Sequence, residues 1–232
     1  MREEPAEAFE RETARPSVLS RLQRGLETLY RIETHLAVDQ FLIDEDERAA
    51  AQPARAPREQ VLLRQHDEED LGLGLFVDAE ALSNLERHDP SQRLDERNFA
   101  DFCVAVEGVS HFVYLARCAA EDRRVSALEL ELQAEVDKFA CCALLAPGGA
   151  EASRDGAGLR RRLYDDVAYA TDLDPDEHAR YRVANAEAGR YARALDRRYV
   201  SPRRMPEMLP ELRRFYRLDL HAKLGHIARL AA

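Results

Sequence analysis

The sequence predicts a mainly α-helical fold, a helical bundle carrying one small β-hairpin. Three observations predict it. Apolar residues recur at helical spacing through most of the chain, helix-start signals stand at Asp78, Asp95, Ser126 and Asp174, and a strand-like pattern is confined to residues 59–78. An α+β domain in which the hairpin belongs to a larger sheet is the alternative. At 232 residues, 45% of them hydrophobic and 34% charged, the chain is long enough to bury a substantial core beneath a heavily charged surface.

Residues 1–16 are rich in glutamate and interrupted by Pro5 and Pro16, which predicts a disordered tail ahead of one mostly helical domain over 17–232. Leu22, Leu26, Leu29, Ile32 and Leu36 predict a first helix from about Ser17 to Ile43. The pattern then lapses, and Pro53 and Pro57 mark a linker near 47–58. EQVLLRQ at 59–65 and LGLGLFVD at 71–78, joined by the polar HDEED, form a natural antiparallel hairpin. LGLG lies inside the strand and lacks a third glycine, so it is no dinucleotide fingerprint.

Helices follow. Asp78 starts a short one ending near Glu86, and Asp95 a long one reaching about Ala120. Ser126 and Glu129 form a capping-box pattern for a helix that stops at Pro147-Gly148-Gly149. A shorter helix is expected over Leu159–Tyr169. Asp174-Pro175-Asp176-Glu177 combines a cap, a proline at the first helical position and acids in the first turn, and opens a helix to about Tyr199. A last helix is expected from Pro210 to Leu230.

Net charge is −10, unevenly spread: residues 1–150 hold 17 basic and 31 acidic residues, and 151–232 hold 17 and 13. The two halves can attract each other, or the second can meet an acidic partner. Lys138 and Lys223 are the only lysines. Cys103, Cys118, Cys141 and Cys142 lie in apolar helical segments without CxxC spacing, and are expected to be small core residues. No apolar run reaches the roughly 20 residues of a membrane span, and the N-terminal residues lack a signal peptide's apolar region, so a soluble, cytoplasmic protein is expected.

Chemistry concentrates in VEGVSHFVYL, residues 106–115. Glu107, His111, Tyr114 and Cys118 share one seam of a helix that is apolar almost all round. A carboxylate stripped of water needs a partner, a proton or a cation. Glu107 and His111 therefore hold a buried packing pair, act as catalytic acid and base, or bind a divalent transition metal together with Glu131 and Glu135 of the next helix. The spacing departs from specific metal motifs: the zinc-protease helix is H-E-x-x-H, whereas Val106 precedes Glu107 and the histidine comes one place late. Glu131 and Glu135 have a simpler role as a face neutralised by Lys138.

A second candidate surface is nucleic-acid binding by Arg160, Arg161, Arg162, Arg197, Arg198, Arg203 and Arg204, interleaved with tyrosines. Interspersed acids oppose it. The leading expectation is a non-catalytic interaction or accessory protein with a protein partner or self-association. A metal-dependent hydrolase or oxidase is second, and a nucleic-acid-associated protein third.

Overall fold

The computed structural model describes residues 15–52, 56–65, 71–145, 156–167 and 173–231. Among them are nine α-helices and one two-stranded antiparallel sheet, the mainly α architecture that the sequence predicts. The helices are α1 (Val18–Tyr30), α2 (Glu45–Ala51), α3 (Ala79–Arg87), α4 (Phe99–Ala120), α5 (Ala127–Leu145), α6 (Gly156–Arg160), α7 (Pro175–Leu195), α8 (Met205–Tyr216) and α9 (Leu220–Ala231). The strands are β1 (Glu59–Gln65) and β2 (Leu71–Val77), and π-helical turns prolong α6 and α7. The expected tail, except Arg15 and Pro16, and the Pro147-Gly148-Gly149 stop lie outside the described residues.

A helix apolar on nearly every face is stable only when surrounded. Accordingly α4 is the hub, packed against α1, α3, α5 and both strands, with Phe102, Ala105, Val106, Val109, Phe112 and Val113 almost wholly buried. By length and apolarity alone α4 would also suit a bilayer span, contrary to the expectation that no stretch does; here most of it is buried against the rest of the chain. In turn α5 packs on α7, and α7 on α9. The hairpin crosses α4 at Gly108. A Cβ there would stand 3.1 Å from Leu75 Cδ1 and 3.3 Å from Glu59 Oε2, so the glycine lets the Glu59 carboxylate approach the helix.

Three boundaries correct the expectations. The first helix ends at Tyr30 because Arg31 turns left-handed (φ 53°), and side chains of the helix then satisfy the departing chain. Gln23 Nε2 donates to the Leu36 carbonyl (2.6 Å), Gln23 Oε1 accepts the Val38 N–H (2.9 Å), and Thr34 donates to Glu27 (2.6 Å). The linker contains α2, opened by a reciprocal capping box of Asp44 and Glu47. The last helix is two, α8 and α9, divided where Asp219 accepts the Ala222 N–H (2.8 Å) as a new cap.

Candidate functional site

Beside Gly108, β1, α4 and α5 bring together four glutamates, one histidine and one lysine. They form two adjoining sets. Lys138 Nζ donates to Glu107 Oε2 (3.0 Å) and Glu135 Oε1 (2.7 Å). His111 stands between Glu59 and Glu131, with Nδ1 3.6 Å from Glu59 Oε2 and Nε2 3.5 Å from Glu131 Oε2. Glu107 and His111, four apart on α4, thus serve different partners.

Burial governs the charges here. It would raise Glu107, but the Lys138 and His111 cations outweigh it and hold this carboxyl below its usual value. It would lower Lys138, but Glu107 and Glu135 keep that amine well above the lysine norm. Burial does win at Glu59 and Glu135, whose carboxyls are raised. His111 would also be lowered by burial, yet Glu131 and Glu59 on its two sides hold it well above the usual histidine value, as an imidazolium. Four carboxylates against two cations leave the group short of positive charge.

The histidine opens onto a cleft of about 210 Å³. One wall is β1, through Glu59, Gln60, Val61 and Leu63; opposite stand Glu131 of α5 and Arg180 and Tyr181 of α7. Glu59 Oε2, Gln60 Oε1, His111 Nε2 and Arg180 Nε are buried in this lining without a hydrogen-bond partner. Orphaned buried polar atoms are rare in folded proteins; here Glu59 Oε2 and His111 Nε2 make only ion contacts of 3.6 and 3.5 Å, and Gln60 Oε1 and Arg180 Nε accept or donate no hydrogen bond, so four atoms are placed to bond a ligand. Two of these atoms offer hydrogens and two accept them.

The rest of the α4 seam faces another network. Tyr114 donates to Glu129 (2.7 Å) and accepts from Arg123 (3.0 Å) and Lys223 (2.7 Å). Lys223, fully buried, also donates to Gln133 Oε1 (2.8 Å), while Asp137 accepts from Ser110 (2.5 Å), Gln133 (2.9 Å) and Tyr30. Glu129 therefore does not complete its capping box. Ser126 accepts the Glu129 N–H (3.2 Å), but the Glu129 carboxylate is taken by Tyr114 and by Arg123 (2.8 Å).

Three of the seven arginine candidates are engaged by acids or a ring. Arg160 pairs with Asp196 (3.2 Å) and Arg204 with Glu207 (3.2 Å), while Arg162 pairs with Glu96 (2.8 Å) and covers the Phe99 ring. Arg161, Arg197, Arg198 and Arg203 are exposed. Cys118 and Cys142 are buried, Cys103 and Cys141 half-buried, and all four are free thiols.

Of the expected metal set, Glu107 and Glu135 are held by Lys138, while His111 and Glu131 face each other. No grouping of three or more His, Cys, Asp or Glu side chains suited to a metal ion occurs among the described residues. Glu59, Gln60 and Arg180 were not foreseen as site residues. For the first two the one signal was that β1 opens on a glutamate and a glutamine ahead of Val61, Leu62 and Leu63; Arg180 had none. No protein-family model matches the chain, and no curated protein or solved structure shows significant similarity to it.

Proposed function

We propose that this is a non-catalytic interaction protein that holds its partner in the cleft between β1, α4, α5 and α7. The convergence on that cleft of four buried polar atoms without a hydrogen bond carries the reading. A hydrogen bond to such an atom contributes on the order of 0.5–1.5 kcal/mol net of the water it replaces, so an occupant that pairs several of them gains affinity from each. Glu107, the natural general base on sequence grounds, is a poor one here because Lys138 stabilises its ionised form.

Selection of a fully randomised displayed peptide library on the protein tests this. Enriched binders are expected to lose about tenfold in affinity, some 1.4 kcal/mol, on Arg180→Met, which removes the donor, or on Tyr181→Ala. Arg198→Glu, at an exposed position of the second π-helical turn, should leave them unchanged. Binders indifferent to all three changes would place recognition elsewhere and refute the reading.

One distance favours a second reading, a metal site. With bonds of about 2.1 Å, an ion shared by His111 Nε2 and Glu131 Oε2 at their 3.5 Å separation would see them about 110° apart, a tetrahedral bite. Glu59 on the other ring nitrogen would be the carboxylate that orients the ligand. This is not the zinc-protease arrangement: Val106 is buried in the core, and Ser110, at the second histidine position of that motif, bonds Asp137. Elemental analysis of protein purified without tag or chelator is the check. Near-stoichiometric metal that disappears in a folded Glu131→Gln variant supports the reading; metal-free protein dismisses it.

A further inference from the structure

Among the described residues, the strand that walls the cleft has one edge unpaired. Asp78 N–H donates to the Arg58 carbonyl (2.8 Å), which in an antiparallel ladder makes Gln60–Phe76 and Leu62–Gly74 the hydrogen-bonded pairs. Glu59, Val61 and Leu63 therefore turn their backbone N–H and C=O groups away from β2. On β2 the equivalent outer groups of Leu75 are taken by the chain at 41–43, through Leu75 N–H to the Phe41 carbonyl (2.8 Å) and Ile43 N–H to the Leu75 carbonyl (3.0 Å). Among the described residues no backbone hydrogen bond reaches the outer side of Glu59, Val61 or Leu63. The cleft runs along this edge: residues from both faces of β1 line it, and none from β2.

Natural sheets protect such edges with lysine, proline, a bulge or a covering segment. Here the outer positions carry valine and a half-exposed leucine. The one acid, Glu59, turns its carboxylate toward His111, where one oxygen lacks a hydrogen bond.

We propose that an extended segment of a partner protein adds to β1 as a third strand, pairing with Glu59, Val61 and Leu63, and sets a lysine or arginine side chain against Glu59 and Glu131. Addition of a strand to an open edge is a general mode of peptide recognition, in which the ladder supplies affinity and side-chain pockets supply choice. The basic residue follows from the charge of the site, where Glu59, Glu107, Glu131, Glu135 and Glu177 outnumber Lys138, His111 and Arg180. The chain's own residues 1–14, with five glutamates and two arginines, carry the wrong sign. The Arg180 and His111 donors that remain find acceptors in the peptide's carbonyls.

The proposal rests on the cleft being the binding site, and the test separates the two ideas. The probes are blocked heptapeptides of alternating valine and threonine with a central lysine, and counterparts with central norleucine or glutamate. Binding is followed by changes in the amide spectrum of the isotope-labelled whole chain. The lysine peptide is expected to shift cleft residues and to bind at least about tenfold more tightly than the glutamate peptide. N-methylation of one set of alternate amides on the peptide should abolish binding, and of the other set should not. Val61→Pro, which removes an outward N–H and no ladder bond, should abolish binding in a protein that still folds.

Cleft binding that tolerates either methylation set would keep the cleft as the site and overturn strand addition. Cleft binding without preference for lysine would overturn the charge assignment. No shift in the cleft with any peptide would overturn the proposal, and with it the cleft reading if the randomised library also yields no cleft binder. Self-association that Val61→Pro abolishes would identify a second copy of this chain as the occupant and overturn the partner-protein assignment.

Discussion

Replacing Lys138 with methionine is expected to cost about 3–5 kcal/mol, the range for removing one member of a buried ion pair. At this chain length that lowers Tm by roughly 6–20 °C. The amine is the single cation bonded to both Glu107 and Glu135, so its loss strands two carboxylates in the α4–α5 interface. His111 cannot take its place, because its ring faces Glu59 and Glu131. Adding Glu107→Gln to the Lys138→Met protein should recover much of the loss, since the amide removes one stranded charge. Urea unfolding measures both. A loss below about 1 kcal/mol for the single variant would mean that solvent already screens these groups as it does surface pairs.

The pH dependence of this variant has a definite sign. In the native protein Glu107 has a lowered pKa, so its contribution is present at neutral pH and is lost as the pH falls through the acid range. Without Lys138, burial raises both carboxyls above their unfolded values. The folded state then binds protons more readily than the unfolded chain, and stability rises as the pH falls from 7 toward 5. The deficit relative to the native protein should therefore be largest near neutrality and shrink in acid.

The helices were legible wherever local signals and burial agree. Asp174-Pro175-Asp176-Glu177 opens α7 with its reciprocal box, and the all-round apolarity of 102–120 marks a helix surrounded by protein. The end of α1 was not legible. Ile32 and Leu36 prolong the helical spacing, while the bonds from Gln23 and Glu27 that turn the chain depend on tertiary structure. The site was legible in halves. Glu107 and His111 are near neighbours in sequence, but helix spacing says nothing about which neighbouring element supplies each partner. Glu59, which comes from a strand 52 residues away from His111, was invisible to any pattern confined to one helix. The scarcity of lysine is a further signal. A chain with 34 basic residues, all but two of them arginine, places both lysines inside, each serving two acceptors. A compact ammonium on a flexible stem fits where a planar guanidinium does not.

The second lysine carries the other large effect, an alkaline gain in stability. Burial pushes the Lys223 amine down to about 7, against the opposing pull of Glu129 and Asp137. An unfolded chain holds this proton to about pH 10.4. Between those limits the unfolded state binds the proton and the folded state has released it, so unfolding free energy rises with pH by up to about 1.4 kcal/mol per unit. Asp137 acts in the opposite direction: burial raises it to about 6, so over pH 4–6 the folded state holds the extra proton and stability falls as pH rises. The network is thus least favourable near pH 6–7, where the buried carboxyl is already largely ionised and the buried amine still largely protonated. Urea unfolding of the native protein and of Lys223→Met from pH 7 to pH 9 isolates the lysine, because the tyrosines and cysteines of both proteins cancel in the difference. The native protein should gain on the variant by about 2–3 kcal/mol over that interval, an order-of-magnitude figure from the same linkage. Parallel curves would show that the amine keeps its proton in the core, held there by Glu129 and Asp137.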